Sequence, residues 1–130
     1  MRNTQDIGIL LLRLVSGGFM LFSHGLGKAS KLFAGGVIKF PDPIGIGALP
    51  SLLMASITEV IFAALIMIGF KTRLSSIPLA ITMFVAAFIV HGSDPFKKQE
   101  FALLYMAIYI ALCFLGPGKY SIDYFSKNRR

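Results

Sequence analysis

Arg13, His24, Lys28, Glu59, His91 and Glu100 are ionisable residues set inside long apolar runs or at their ends. Hydrocarbon cannot solvate a charge, so each must be paired, neutral or turned toward water, and each is a functional-site candidate. Glu59 stands out because it follows Thr58 in the middle of the apolar run from Leu52 to Phe70. Carboxylate and imidazole groups exchange protons near neutral pH, and a guanidinium can hold an anionic oxygen. Glu59, His24, His91 and Glu100 are therefore the candidate catalytic residues, and Arg13 and Lys28 the candidate ligand-binding ones. An apolar pocket rimmed by such groups suits a quinone-like head group or another small amphiphile. The competing reading is an ion-pair network that merely fixes the helices. Intramembrane polar contacts contribute only about 1 kcal/mol each, so five or six ionisable groups would be a costly route to stability.

Spacing and depth bring these residues together. Arg13, Gly17, His24 and Lys28 are 4, 7 and 4 residues apart. At about 100° per residue they fall within roughly a 60° arc, a single stripe that must face the bundle interior. Gly17, beside Gly18, lets a neighbouring backbone approach closely at that stripe. If the first span runs outward, His24 and Lys28 lie near the outer surface. The second span then places Glu59 on the order of 10 Å below the outer boundary. The third delivers His91 to that boundary, and the fourth starts there with Glu100. Arg13 lies roughly 10 Å deeper than Glu59 by the same rise, a gap that its long side chain can still close.

Two other chemistries use the same residues. His24 and His91 are the two histidines of the chain, at the outer ends of parallel-running spans, a geometry open to axial haem ligation. Glu59, Glu100 and the histidines could also supply carboxylate and imidazole to a metal, but the Glu-x-x-His pair of di-iron bundles is missing. The reading is no metal site and no obvious cofactor, with quinone as the ligand or substrate.

The elements that must position these groups are four helices. The chain has 130 residues, 55% of them hydrophobic, with a formal charge of +7. A soluble domain of this size could not bury so much apolar surface. Four apolar stretches hold the excess: spans about 7–27, 52–70, 74–91 and 100–115. At about 1.5 Å rise per residue, ~17–25 residues cross a ~30 Å hydrocarbon core. The expected architecture is one domain over residues 1–130, an all-α membrane protein built as an antiparallel bundle of four transmembrane helices. Arg13 interrupts the first apolar run and no small-x-small site follows it, which speaks against a signal peptide. The lone Cys113 excludes a disulfide within one chain.

The basic residues sit at helix ends rather than along one stripe, which argues for topology and membrane lipid rather than nucleic acid. Arg2, Lys71, Arg73, Lys119, Lys127, Arg129 and Arg130 share the side of the termini. The positive-inside rule then favours cytoplasmic termini in the inner membrane of a prokaryote. Lys71-Thr-Arg73 is a tight turn between antiparallel neighbours. The outer loop from Lys28 to Ser51 carries Leu32, Phe33, Val37, Ile38, Phe40 and Ile44, so it is expected on the membrane surface or folded into the bundle mouth. Breaker residues close the third and fourth spans at His91-Gly-Ser-Asp-Pro95 and Gly116-Pro-Gly118.

With these residues placed, the chain resembles the DoxX family of small four-span membrane proteins. The matching pieces are Leu11-Leu-Arg-Leu14, His24-Gly25 with Lys28, Glu59 with Gly69 and Arg73, His91, Glu100, and Gly116-Pro-Gly-Lys-Tyr-Ser-Ile-Asp123. They occur in the expected order over nearly the whole chain. The family is similar to the small subunit of an archaeal thiosulfate:quinone oxidoreductase, and other members are associated with quinone and catechol stress. The resemblance implies a component of a quinone-linked oxidoreductase or a detoxification protein, working beside a partner redox subunit or as a homo-oligomer. The alternatives are a non-catalytic anchor that holds a partner redox enzyme through the basic tail Lys127 to Arg130, and a small-molecule carrier.

Overall fold

The computed structural model describes residues 2–129, so Arg130 of the basic tail lies outside the described residues. Four helices are long and apolar enough to cross a membrane: α1 (Arg2–Phe33), α2 (Ala48–Ile68), α3 (Thr72–Val90) and α4 (Phe96–Leu115). A short α5 (Ile122–Asn128) follows. Helices satisfy every backbone donor and acceptor within the segment, as an apolar solvent demands. The helix α1 is longer at both ends than its apolar run; at the far end Lys28 and Lys31 are good helix formers, and the Lys31 side chain is exposed. Glu100, expected as the first residue of the fourth span, instead lies one turn inside α4, which starts at Phe96 after Pro95.

Turn chemistry ends each helix where the sequence breaks. Gly69 (φ 71°) and Lys71 (φ 45°) take left-handed conformations between α2 and α3. Gly116 (φ 83°) stops α4. The Ser121 hydroxyl accepts the Tyr124 N–H at 3.2 Å to cap α5. A longer loop, residues 34–47, joins α1 to α2.

The helices form a closed ring of neighbours: α1 against α2, α2 against α3, α3 against α4, and α4 back against α1. The centre is filled by Met20, Ala63, Ile66, Leu79, Ala87, Tyr109 and Leu112. Large apolar residues such as Leu11, Phe22, Phe101 and Phe114 point outward around the ring. In water that surface would be a liability; for a membrane protein it is the lipid-facing belt. Small residues set the α1–α2 contact. A Cβ at Gly17 would stand 2.9 Å from the Ala63 carbonyl oxygen, and one at Gly25 would stand 2.7 Å from that of Glu59. Glycine is required at both places because backbone meets backbone.

Three helices carry a π-helical stretch, at Met20–Gly25 in α1, Thr58–Phe62 in α2 and Ala86–Val90 in α3. Those of α1 and α3 lie in the half of the bundle nearer the 34–47 loop, and that of α2 starts at the middle of its helix. Each π turn takes one residue more than an α turn and shifts the phase of the residues after it, and such insertions concentrate at functional sites.

Candidate functional site

A cavity of about 460 Å³ opens between α2 and α3 beneath the 34–47 loop. Its walls are mainly apolar, including Met54, Ala55, Ile81 and Val85, and its polar groups are Lys28, Ser51, Thr58, Glu59, Thr82 and His91. At its inner edge the Lys28 Nζ donates to Glu59 Oε2 at 2.7 Å. Glu59 is buried while the Lys28 side chain keeps 23% of its exposure. The pair joins α1 to α2 where the two π stretches pack together. A carboxylate in this position is tolerated because the ammonium answers it directly. Glu59 Oε1 receives no bond from the described residues.

The loop roofs this cavity with Phe40, Pro43, Ile44 and Ile46. Asp42 holds the roof in shape: Oδ1 accepts the Ile46 N–H at 2.9 Å and the Ser51 hydroxyl at 3.2 Å, and Oδ2 accepts the Gly47 N–H at 2.9 Å. Desolvation alone would raise this carboxyl, but the donated bonds from Gly47, Ile46 and Ser51 outweigh it and hold it below the usual carboxylate range. Phe33 and Val37 lie fully outside. The apolar residues of the loop thus divide between the bundle mouth and the outer surface. His91 closes the far side, its Nδ1 2.7 Å from Asp94 Oδ2, and its carbonyl accepts the Gln99 side-chain amide at 2.7 Å. That hydrogen bond from His91 is the main reason the Asp94 carboxyl lies below its ordinary value.

Lys28, Glu59 and His91 therefore meet at one pocket. Arg13, His24 and Glu100 do not. Arg13, expected to hold a ligand oxygen or to pair with Glu59, points toward the other end of the bundle. Its Nε donates to Ile66 O at 2.9 Å, Nη2 to Met67 O at 2.8 Å, and Nη1 to Pro117 O at 2.8 Å and Tyr120 O at 2.7 Å. Only 1% of the residue is exposed. The guanidinium serves carbonyls at the end of α2 and in the 116–120 segment, of which Ile66 O also accepts the Gly69 N–H at 3.2 Å.

His24 leaves the stripe because the π stretch around it breaks the 100° phase. Gly25 takes the buried position and the His24 ring turns outward, edge-on to Tyr105 with centroids 5.8 Å apart. Tyr105 stacks on Tyr109, whose hydroxyl donates to Ser16 O at 3.1 Å. His24 thus leans on α4, while His91 faces the cavity between α2 and α3. Glu100 is exposed on the first turns of α4 and is not a wall of the cavity. Among the described residues, no group of three His, Cys, Asp or Glu side chains is placed to hold a metal ion.

Sequence spacing gave no warning of Asp42, Asp94, Ser51 or Thr82 at this site. The Asp42 signal was present in Phe40-Pro-Asp-Pro43, a turn pattern in which Asp accepts nearby backbone N–H groups. Thr82 sits four residues after Pro78 and donates its hydroxyl to that carbonyl at 2.8 Å.

A protein of Haemophilus influenzae bearing only the description "Uncharacterized protein" is 29% identical over 126 residues, covering 88% of this chain and 87% of its own length. No solved structure matches the chain. The family model DoxX matches residues 8–92, a stretch that takes in α1, the roofing loop, α2, α3 and the Lys28–Glu59–His91 pocket. The chain belongs to the DoxX family of membrane proteins.

Proposed function

We propose that this protein binds the ring of a quinone or catechol in the Lys28–Glu59–His91 pocket and manages its protons, as the membrane component of a quinone-linked redox or detoxification system. The observation that carries the reading is a buried ion pair opening onto a largely apolar cavity of about 460 Å³. Ligand sites usually measure about 300–1,000 Å³, with a few polar groups on apolar walls. The Lys28 ammonium would donate to a ring oxygen, and Glu59, released from it, would accept a proton from a ring hydroxyl. His91, tethered by Asp94, is the second proton-exchanging group. Oxidising a quinol to its quinone releases two protons, taken up by Glu59 and His91, and two electrons, which are assigned to a partner redox subunit as acceptor. In this reading the termini are cytoplasmic and the pocket lies at the opposite face of a prokaryotic inner membrane.

The test is binding of a short-chain benzoquinone and its quinol to the purified protein by titration calorimetry. Glu59→Gln and Lys28→Met each remove one charged hydrogen-bonding group, an effect of about 1.5–3 kcal/mol or roughly ten- to a hundredfold in affinity. Wild-type affinity in both variants, or no binding by the unaltered protein, overturns the proposal.

A further inference from the structure

A second and larger cavity, about 960 Å³, lies at the opposite end of the bundle, between the start of α1, the α2–α3 turn, the Pro117–Lys119 segment and α5. Five cations line it: Arg2, Lys71, Arg73, Lys119 and Lys127. Two carboxylates face them, and both are already engaged by backbone. Asp6 Oδ1 accepts the Lys119 N–H at 3.0 Å. The Asp123 oxygens accept the Lys71 and Thr72 N–H groups at 2.8 and 3.0 Å, so Asp123 reaches across from α5 to cap the start of α3. The ammonium groups of Lys71, Lys119 and Lys127 pair with neither carboxylate. Thr72 forms part of the same wall, and its buried Oγ1 has no partner among the described residues.

The surroundings of this cleft are apolar on the bundle side. Phe70, Leu74 and Tyr124 are part of its lining and are themselves exposed. Every cation stands at a helix end or just beyond one, where the lipid-facing belt gives way to water. A ligand for this place needs a concentrated negative charge above and hydrocarbon below. The geometry points to a binding site for the phosphodiester headgroup of an anionic phospholipid, held by Lys71, Lys119 and Lys127 with its acyl chains lying along Phe70 and Leu74. Basic pockets at the ends of transmembrane helices recognise such headgroups, and each Lys or Arg near the surface adds about a factor of five. The site is separate from the pocket beneath the 34–47 loop and does not depend on what that pocket binds.

The experiment is competitive lipid retention, measured by native mass spectrometry of the purified full chain. Equal amounts of phosphatidylglycerol and phosphatidylcholine with identical acyl chains are offered to the protein in neutral detergent. Phosphatidylglycerol is expected to be retained at least tenfold over phosphatidylcholine. The triple variant Lys71→Gln, Lys119→Gln, Lys127→Gln should lose on the order of a hundredfold of that retention. A control with the same charge change at the other end, Lys31→Gln, Lys39→Gln, Lys97→Gln, should retain phosphatidylglycerol as the unaltered protein does. Should the triple variant not fold, a salt titration of the unaltered protein replaces it, with phosphatidylglycerol released by salt and phosphatidylcholine unaffected. Equal retention of the two lipids, an undiminished triple variant or a salt-independent preference overturns the assignment. Displacement of phosphatidylglycerol by glycerol 3-phosphate at similar concentration also overturns it, in favour of a soluble phosphate ester.

Discussion

Arg13 offers the sharpest quantitative test of what holds this bundle together. Its guanidinium donates four hydrogen bonds, of 2.7 to 2.9 Å, to the carbonyls of Ile66, Met67, Pro117 and Tyr120. Replacement by Met keeps most of the side-chain volume but removes every donor. An unsatisfied buried carbonyl costs about 1–3 kcal/mol, and the lower figure suits carbonyls near the membrane surface that recover part of their solvation. Ile66 O would keep the Gly69 N–H, so three stranded carbonyls give a loss of about 3 kcal/mol, a large share of the ~5–15 kcal/mol typical of a folded domain. Arg13→Met is therefore expected to yield little folded protein. Arg13→Lys keeps the charge but offers three donors without the planar fork, so about half the loss should remain. That corresponds to a melting temperature lower by roughly 5–10 °C. The single, half-buried Cys113 makes the assay simple, because a thiol-reactive dye reports its exposure as the detergent-solubilised protein is heated. If Arg13→Lys melts within about 1 °C of the unaltered protein and loses only quinone binding, Arg13 serves a ligand and the structural account is wrong.

Three other outcomes are expected from the same geometry. Lys28→Met strands a buried carboxylate and should cost about 3 kcal/mol, whereas Glu59→Gln leaves a partly exposed ammonium that rehydrates and should cost about 1 kcal/mol, with the double variant milder than Lys28→Met in thermal unfolding. Gly25→Ala drives a methyl group into the Glu59 carbonyl and should destabilise by about 1–3 kcal/mol, while Gly8→Ala meets open space and should be neutral or slightly stabilising on the same melting curves. The Asp42 carboxyl is lowered by folding, so its hold on the roofing loop is fully present above the unfolded value near 4 and is lost as pH falls below it. Limited proteolysis of residues 34–47 should accordingly stay constant from about pH 8 to 5 and rise below about pH 4, and Asp42→Asn should be cleaved readily throughout; a rise already under way near pH 6 would refute the role of Asp42.

The four helices were legible because hydrophobic length is a strong signal in a chain this short. Their ends were less so, since α1 continues through Lys28, Lys31 and Phe33 on helix propensity after its apolar run has ended. Depth arithmetic brought His24, Lys28, Glu59, His91 and Glu100 to the outer half of the bundle, and three of these five, Lys28, Glu59 and His91, share a pocket. It left Arg13 within side-chain reach of Glu59, and because carbonyl partners carry no residue signature the role of Arg13 at the end of α2 was invisible. His24 was misplaced for a different reason. A helical wheel assumes one phase from end to end, and the Met20–Gly25 π stretch inserts a step that no residue in it announces.

The span of chain between Arg13 and its acceptors has a consequence for biogenesis. Pro117 and Tyr120 come after it by 104 and 107 residues. At about 5–20 residues per second, Tyr120 leaves the ribosome on the order of 5–20 s after Arg13. For about the first half of that interval the guanidinium of the first helix has none of its acceptors, and for the rest it has only Ile66 and Met67, while the third helix lacks the Asp123 cap at its start. Insertion of the four helices and closure of the bundle are therefore separate events in time. Until the segment after α4 arrives, nascent α1 must keep Arg13 near the headgroups or in the shelter of the insertion machinery, and a chain stopped at Leu115 would be inserted but left unlatched.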